Sequence, residues 1–251
     1  MAITYVLGNW KMNFTLPEAV SNATNLDARL EGDEHVEVAI APSNLFLHPI
    51  SQNLTSGKLK LCAQTLSAPD FGAFTGETSA AQLTNFVKYV FLGHSERRVY
   101  FGETDEDIAE KIQFAIAHQI TPVICIGETA MDRTAGKTEE VLREQLRSAL
   151  ASVDNMQVIL AYEPVWAISS FAGAYAATPE LIAGTVAKIR EIIPTVSTPD
   201  IPPILYGGSV NPENAESYLS LEGIDGVLVG SASLDIEKFS GIIEVAKKVA
   251  K

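Results

Sequence analysis

The sequence has few cysteines and no long apolar run. Only two cysteines, Cys62 and Cys125, occur among 251 residues, and neither belongs to a C-x-x-C pair. Both lie in apolar runs, so we interpret them as reduced, small core residues and not as a disulfide framework. No stretch approaches ~18 consecutive apolar residues, and we therefore predict no membrane span.

Basic residues are also scarce. Eighteen Lys and Arg face 31 Asp and Glu, which leaves a formal net charge of −13. Nucleic acids and anionic membranes require a basic face, so neither is an expected partner. An anionic substrate would need a local positive site to overcome this field. The N-terminus MAITYVLGNWKMN shows no basic-then-apolar signal pattern, and we expect a cytoplasmic protein.

Several functional motifs are missing. The chain contains no P-loop, no G-x-S-x-G elbow and no His, Cys or Asp cluster with metal-ligand spacing. The first apolar run continues as Gly8-Asn9-Trp10-Lys11, where a dinucleotide-binding fold would carry G-x-G-x-x-G. We therefore predict neither a metal nor a cofactor.

Short apolar runs recur along the chain, and most are continuous and not alternating. Continuous runs are typical of parallel strands that are covered on both faces. The eight runs are Tyr5–Gly8, Val36–Ala41, Leu59–Ala63, Tyr89–Gly93, Pro122–Gly127, Val158–Tyr162, Pro203–Gly207 and Gly226–Gly230.

Helical patterns separate these runs. Apolar stripes or capping signals predict helices over Leu16–Leu30, over Asp105–His118, from Thr138, after Thr178 and over Ser233–Val249. Eight strands alternating with helices over about 250 residues predict an α/β fold, a (β/α)8 barrel that forms a single domain over residues 1–251. An open doubly wound sheet is the structural alternative.

Functional residues of such barrels follow the strands, at their carboxyl ends. Lys11, after strand one, is either an ammonium that faces an anion or a surface lysine. His94, after strand four, is either a neutral hydrogen-bond donor at a helix N-terminus or a surface or satisfied core histidine. Glu163, after strand six, is either a partly desolvated general base or a solvated loop acid.

Gly-Ser turns follow strands seven and eight. They read Gly207-Gly208-Ser209 and Gly230-Ser231, and the second opens a helix. Glycine lets backbone N–H groups approach an anion closely, and this pair of turns is the usual phosphate site of the fold.

Five motifs together resemble those of the triosephosphate isomerase family, in the same order and over essentially the whole chain. They are Gly8-Asn9-Trp10-Lys11-Met12-Asn13, Gly72-Ala73-Phe74-Thr75-Gly76-Glu77, Gly93-His94-Ser95-Glu96-Arg97-Arg98, Tyr162-Glu163-Pro164-Val165-Trp166-Ala167-Ile168 and Tyr206-Gly207-Gly208-Ser209-Val210. The resemblance implies a TIM barrel and, without a cofactor, the interconversion of dihydroxyacetone phosphate and D-glyceraldehyde 3-phosphate. That reaction serves glycolysis and gluconeogenesis.

The resemblance also implies residue roles. The family pairs a glutamate base with a neutral histidine, so Glu163 would be the base and His94 would polarise the carbonyl. Lys11 would stabilise the enediolate. Asn9 would lie beside Lys11, and Glu96 would support the site from behind. The implied phosphate contacts come from Ser169, Ser209, Gly230 and Ser231.

The family forms homodimers by inserting the loop after strand three into the partner. In this chain the loop Thr65–Thr78 carries Phe71, Phe74 and Thr75. Aromatic side chains at a loop tip are costly in water, which favours burial in a second subunit. The resemblance places Thr75 of one subunit against Asn9 and Glu96 of the other. A monomer that covers its own loop is the alternative.

The loop after strand six departs from the family pattern. The family usually reads Ala-Ile-Gly-Thr-Gly-Lys-Thr-Ala, whereas this chain continues from Ala167 to Ala177 without that tip and is three residues longer. We expect the chemistry to survive and closure of this lid to be altered. A catalytically weakened relative with a binding or structural role is the alternative function.

Overall fold

The computed structural model describes residues 3–151, 153, 157–168 and 177–250. Eight parallel strands pair in sequence order, and β1 pairs with β8, with Tyr5 opposite Gly226. The sheet is therefore a closed barrel: the predicted (β/α)8 barrel is confirmed and the open sheet is excluded. The strands are β1 Thr4–Asn9, β2 Val36–Ala41, β3 Leu59–Ala63, β4 Tyr89–Leu92, β5 Thr121–Ile126, β6 Ile159–Tyr162, β7 Ile204–Tyr206 and β8 Gly226–Val229.

Helices connect the strands along the outside of the barrel. They are α1 Leu16–Arg29, α2 Asn44–Ser51, α3 Ala80–Leu83, α4 Ser95–Phe101, α5 Asp105–Ala117, α6 Ala130–Thr134, α7 Thr138–Leu150, α8 Pro179–Val196, α9 Ala215–Leu219 and α10 Ile236–Val249. Single 3-10 turns cover Val165–Ala167 and Ser231–Leu234.

The strands bury both faces, as their continuous apolar composition predicts. On β4, Tyr89 and Phe91 belong to the cluster inside the barrel, whereas Val90 and Leu92 pack outward against the helices. This alternation follows from the two-residue period of a strand. Both cysteines are buried in the inner cluster as free thiols, in agreement with the packing role expected for them.

Helix boundaries agree with the sequence where a capping signal is clear. Helix α7 begins at Thr138, and α8 begins at Pro179 after Thr178, as predicted. The predicted start of the last helix is wrong, because α10 begins at Ile236 and not at Ser233. Asp235 accepts hydrogen bonds from the N–H groups of residues 237 and 238, and this N-cap determines where the helix starts.

Among the described residues, no helix combines the length and the apolar character needed to cross a membrane.

Candidate active site

The carboxyl ends of the strands surround one cavity at the mouth of the barrel. It brings together residues from both ends of the chain and from its middle. Its lining comprises Asn9, Lys11, His94, Glu163, Ile168, Gly207, Gly208, Ser209, Val210, Leu228, Gly230 and Ser231. All of the candidate site residues in the described part of the chain line this cavity except Glu96, Phe74 and Thr75; Glu96 is tied to it through Lys11.

Glu163 directly follows β6 and is almost completely buried, with 2% of its surface exposed. One carboxylate oxygen, Oε1, lies 3.3 Å from Nε2 of His94. The other, Oε2, accepts a hydrogen bond of 3.2 Å from the backbone N–H of Ser95. The loop-acid alternative is therefore excluded: Glu163 is a buried carboxylate that faces an imidazole.

His94 is the N-cap of α4, and its orientation defines its tautomer. Its Nδ1 accepts a hydrogen bond of 3.3 Å from the backbone N–H of Glu96. A nitrogen that accepts from a fixed backbone donor carries no proton, so the ring proton of a neutral imidazole resides on Nε2. That nitrogen points to Glu163 and lines the cavity. The position of His94 at a helix N-terminus agrees with the prediction.

Lys11 is held with its side chain in the cavity by an unusual backbone conformation. Its φ of 51° is left-handed, and Asn9 Oδ1 accepts a hydrogen bond of 3.0 Å from its N–H. The side chain of Gln64 donates to its carbonyl oxygen at 2.6 Å. Its ammonium lies 2.7 Å from Glu96 Oε1. Asn9 and Glu96 thus position Lys11 from two sides, which argues against a surface lysine.

The turn after β7 passes directly beneath the buried glutamate. A Cβ on Gly207 would lie 2.7 Å from Cγ of Glu163, closer than real contacts allow, so only glycine fits there. Gly208 and Ser209 continue the turn along the cavity, and Gly230 and Ser231 line the same wall from β8. The two Gly-Ser turns therefore meet at one place, as the pattern predicted.

Cys125, on β5, packs beside this carboxylate. Burial, reinforced by the negative charge of Glu163, raises the pKa of the Cys125 thiol well above its ordinary value. The thiol stays protonated at neutral pH and is a packing group next to Glu163, in line with the role expected from the sequence.

Sequence reasoning missed Glu128, which immediately follows the Gly127 that ends the fifth apolar run. Its side chain is fully buried and accepts hydrogen bonds from Trp166 Nε1 at 2.9 Å and from Tyr162 Oη at 3.1 Å. Arg133 lies 3.2 Å from the same carboxylate. The strand-end rule applied to strands one, four and six would have found this residue after strand five.

The loop Thr65–Thr78 and the adjacent surface expose apolar side chains. Phe71 is 82% exposed and Phe74 49%. A groove of about 420 Å³ lies between the base of this loop and the mouth, and it is lined by Lys11, Glu96 and loop residues that include Thr65 and Thr78. Thr75 is exposed at the loop tip. The groove therefore opens next to the cavity that contains the candidate catalytic groups.

Ser169 and the lid residues up to Ala176 lie outside the described residues. Ile168 on one side lines the cavity, and Ala177 on the other is buried.

The fold and the cavity define a (β/α)8-barrel enzyme with a buried glutamate, a histidine, a lysine and paired glycine turns at its mouth. Comparison with known proteins agrees with this class. The family model described as "Triosephosphate isomerase" matches residues 4–246. The chain belongs to the triosephosphate isomerase family, and it is an isomerase.

Curated relatives cover nearly the whole chain. A protein named triosephosphate isomerase from Dehalococcoides mccartyi (strain ATCC BAA-2100 / JCM 16839 / KCTC 5957 / BAV1) is 40% identical over 241 residues, covering 96% of this chain and 95% of the relative. Proteins of the same name from Endomicrobium trichonymphae and Paracidovorax citrulli (strain AAC00-1) are 40% and 42% identical, and each alignment covers 96% of this chain and 97% of the relative.

Proposed function

We propose that this protein interconverts dihydroxyacetone phosphate and D-glyceraldehyde 3-phosphate through an enediolate, with Glu163 as the base. The observation that carries this proposal is the pairing of the buried Glu163 carboxylate with the His94 imidazole, 3.3 Å apart, in a cavity that Lys11 also lines. A base, an electrophile and a cation around one small cavity are the groups that proton abstraction next to a carbonyl requires.

Glu163 removes the proton from the carbon next to the carbonyl group, and the protonated carboxyl returns it to the neighbouring carbon. Burial leaves the carboxylate with little water to solvate it, so it is well suited to proton abstraction. His94 donates its Nε2 proton to the carbonyl oxygen and so assists formation of the enediolate. The ring then takes the proton of the neighbouring hydroxyl group, whose oxygen becomes the new carbonyl oxygen, so no proton is gained or lost overall.

Lys11 stabilises the negative charge that develops on the enediolate oxygens. The protein carries a net charge of −13, yet the ammonium acts at contact distance while surface carboxylates are screened over about 8–10 Å. The backbone N–H groups of the Ser209 and Ser231 turns bind the phosphate. The phosphate can approach the backbone closely there because Gly207, Gly208 and Gly230 have no side chain.

A coupled assay with D-glyceraldehyde 3-phosphate tests the proposed function. Glu163→Asp shortens the side chain by one methylene and moves the base by about 1 Å, so kcat is expected to fall about 10²-fold or more. Glu191→Asp, on the exposed face of α8, is the matched control and should leave the rate unchanged. A parent protein that folds but shows no turnover would support the alternative function, a catalytically weakened relative with a binding or structural role. A Glu163→Asp variant as fast as the parent would exclude Glu163 as the base.

The same proposal includes a homodimer in which the loop Thr65–Thr78 of each subunit occupies the groove of the other. Support comes from the exposed Phe71 and Phe74 and from the groove of about 420 Å³ beside the mouth. In this arrangement Thr75 contacts Asn9 and Glu96 of the second subunit. Burial of the aromatic rings provides the driving force.

Phe74→Ser tests the dimer. The substitution removes an apolar ring from the interface, so sedimentation should show monomers at concentrations at which the parent is dimeric. Met131→Ser, at an exposed apolar position on α6, is the control and should leave the mass unchanged. A parent protein that sediments as a monomer at all concentrations would exclude the homodimer.

The lid hypothesis concerns residues 169–176. We propose that the chemistry survives the departure of this loop from the family pattern and that closure over the site is altered. Replacing Ser169–Ala176 by Gly-Thr-Gly-Lys-Thr should then raise kcat and phosphate affinity, since one oriented donor is worth on the order of 10²–10³ in rate. Unchanged kinetics in the grafted protein would contradict the hypothesis.

A further inference from the structure

The start of helix α9 contacts the Ser209 turn, which lines the cavity. Asn214, its N-cap residue, donates from Nδ2 to the carbonyl oxygen of Ser209 at 3.0 Å. Asn214 and Asn211 also hydrogen-bond each other reciprocally, side chain to backbone, at 2.8 and 2.9 Å. The start of α9 is therefore rigidly joined to the turn that lines the cavity.

One turn further along, Tyr218 joins the same helix to the end of the strand-six loop. Its side chain is buried, and its hydroxyl donates to the carbonyl oxygen of Ala177 at 2.7 Å. Ala177 is itself buried and directly precedes Thr178, the N-cap of α8. A buried carbonyl group needs a hydrogen-bond partner, and the phenol provides it.

The ring of Tyr218 also supports the cavity wall. It stacks on Tyr206, with ring centroids 4.3 Å apart and an angle of 30° between the planes. Tyr206 in turn lies directly beneath Gly208, because a Cβ on that glycine would come within 2.2 Å of the Tyr206 hydroxyl oxygen. A continuous series of contacts thus leads from Ala177 through two stacked rings to the Gly207–Ser209 turn.

We propose that Tyr218 is a positioning residue for phosphate binding. It keeps Ala177, where the chain leaves the strand-six loop, and the Ser209 turn in a constant relative position. The phenol acts through Ala177 and Tyr206, and it does not line the cavity itself. This inference depends on the proposed function, in that it assumes phosphate binds at the Ser209 turn.

Tyr218→Phe tests the inference because it removes only the hydroxyl and retains the stacked ring. Inorganic phosphate is the probe, and its dissociation constant is measured by calorimetry, with no turnover required. We expect this constant, and the KM for D-glyceraldehyde 3-phosphate, to rise about three- to tenfold, the factor that one net hydrogen bond is worth, while kcat changes less.

Tyr89→Phe is the matched control. Tyr89 is also a buried tyrosine, but its hydroxyl donates to Glu37 at the opposite end of the barrel. Both variants should lower the melting temperature, and only Tyr218→Phe should weaken phosphate binding. Equal phosphate affinity in Tyr218→Phe and the parent, or equal weakening in both variants, would overturn the inference.

The two proposals fail in different ways. A parent protein without turnover that still binds phosphate, more weakly after Tyr218→Phe, would refute the proposed reaction and retain the role of Tyr218. If the parent protein turns over normally and Tyr218→Phe leaves the phosphate affinity unchanged, only the role of Tyr218 is refuted.

Discussion

The two ends of the barrel carry similar residues in different arrangements. At the mouth, the Glu163 carboxylate faces His94 and a cavity. At the floor, where the strands begin, both Glu37 carboxylate oxygens lie within 2.7 Å of the Lys88 ammonium, and Tyr89 donates its hydroxyl to the same group. The charge of Glu37 at the floor is thus neutralised by its neighbours, whereas at the mouth the buried Glu163 faces the imidazole of His94 and the cavity.

The floor arrangement joins neighbouring strands. The rings of Tyr5, at the start of β1, and Tyr89 pack edge to face, with their centroids 6.5 Å apart. Burial and the carboxylates of Glu37 and Asp225 raise the pKa of Tyr5, so its phenol stays neutral. These contacts stabilise the barrel, while the mouth keeps groups available for a ligand. The position of a polar residue along its strand, more than its type, therefore separates a role in stability from a role in function.

The largest expected difference between the two ends concerns their lysines. Lys11→Met removes the ammonium at the mouth, so kcat/KM should fall on the order of 10²–10³, as for other oriented electrostatic groups. Lys88→Met, the matched change at the floor, should leave kcat/KM unchanged and lower stability by about 0.2–1 kcal/mol, since its ion pair is partly exposed.

Steady-state assays of both lysine variants measure kcat/KM, and thermal unfolding measures their stability. A loss of activity in Lys88→Met as large as that in Lys11→Met would remove the functional distinction between mouth and floor.

A smaller effect is expected from the floor carboxylate. Glu37→Gln keeps the shape of the side chain but loses the charge that attracts Lys88 and the strong acceptor for Tyr89. The free energy of unfolding should fall by about 1–2 kcal/mol, with kcat unchanged. Urea unfolding monitored by circular dichroism gives the first quantity. A variant as stable as the parent would show that the floor network adds nothing to the barrel.

The smallest effect concerns acid stability near the floor. Asp27 on α1 is bound by the backbone N–H groups of Thr55 and Ser56, at 2.9 Å each, and by the Ser56 hydroxyl. Burial raises the pKa of this carboxyl, but the hydrogen bonds to Ser56 and Thr55 outweigh burial and the net pKa is lowered. The folded state therefore gains stability above the ordinary value of 3.8 and loses it as the pH falls through the lower folded value.

Asp27→Asn removes this titrating group. Its free energy of unfolding should vary less steeply with pH than that of the parent below about pH 4. Urea unfolding at pH 6 and at pH 3 measures the difference. Parallel pH profiles for the two proteins would contradict the lowered pKa.

Long helices and the strands can be predicted because several residues of each contribute to the same sequence pattern. The eight strands and the helices α5, α7 and α8 rest on several apolar or capping residues each. Helices α3, α6 and α9 span only four or five residues, too few to show a helical period, and the sequence patterns do not predict them. Capping boxes at Ser79 and Thr129 are visible in the sequence. A capping box alone does not predict a helix of four or five residues, which is stabilised by packing against the barrel.

The sequence by itself determined the strand periodicity, the alternation of strands with helices and the residue types at each strand end, because these depend on local composition. The pairing of β1 with β8, which closes the barrel, was decided by the tertiary structure. The tertiary structure alone decided that His94 directs Nε2 towards Glu163. It likewise brought Tyr218 to Ala177 and Gly207 beneath Glu163. Such contacts join residues that are distant in the chain, and they exist only once the barrel closes and places its strand ends within a few ångströms of one another.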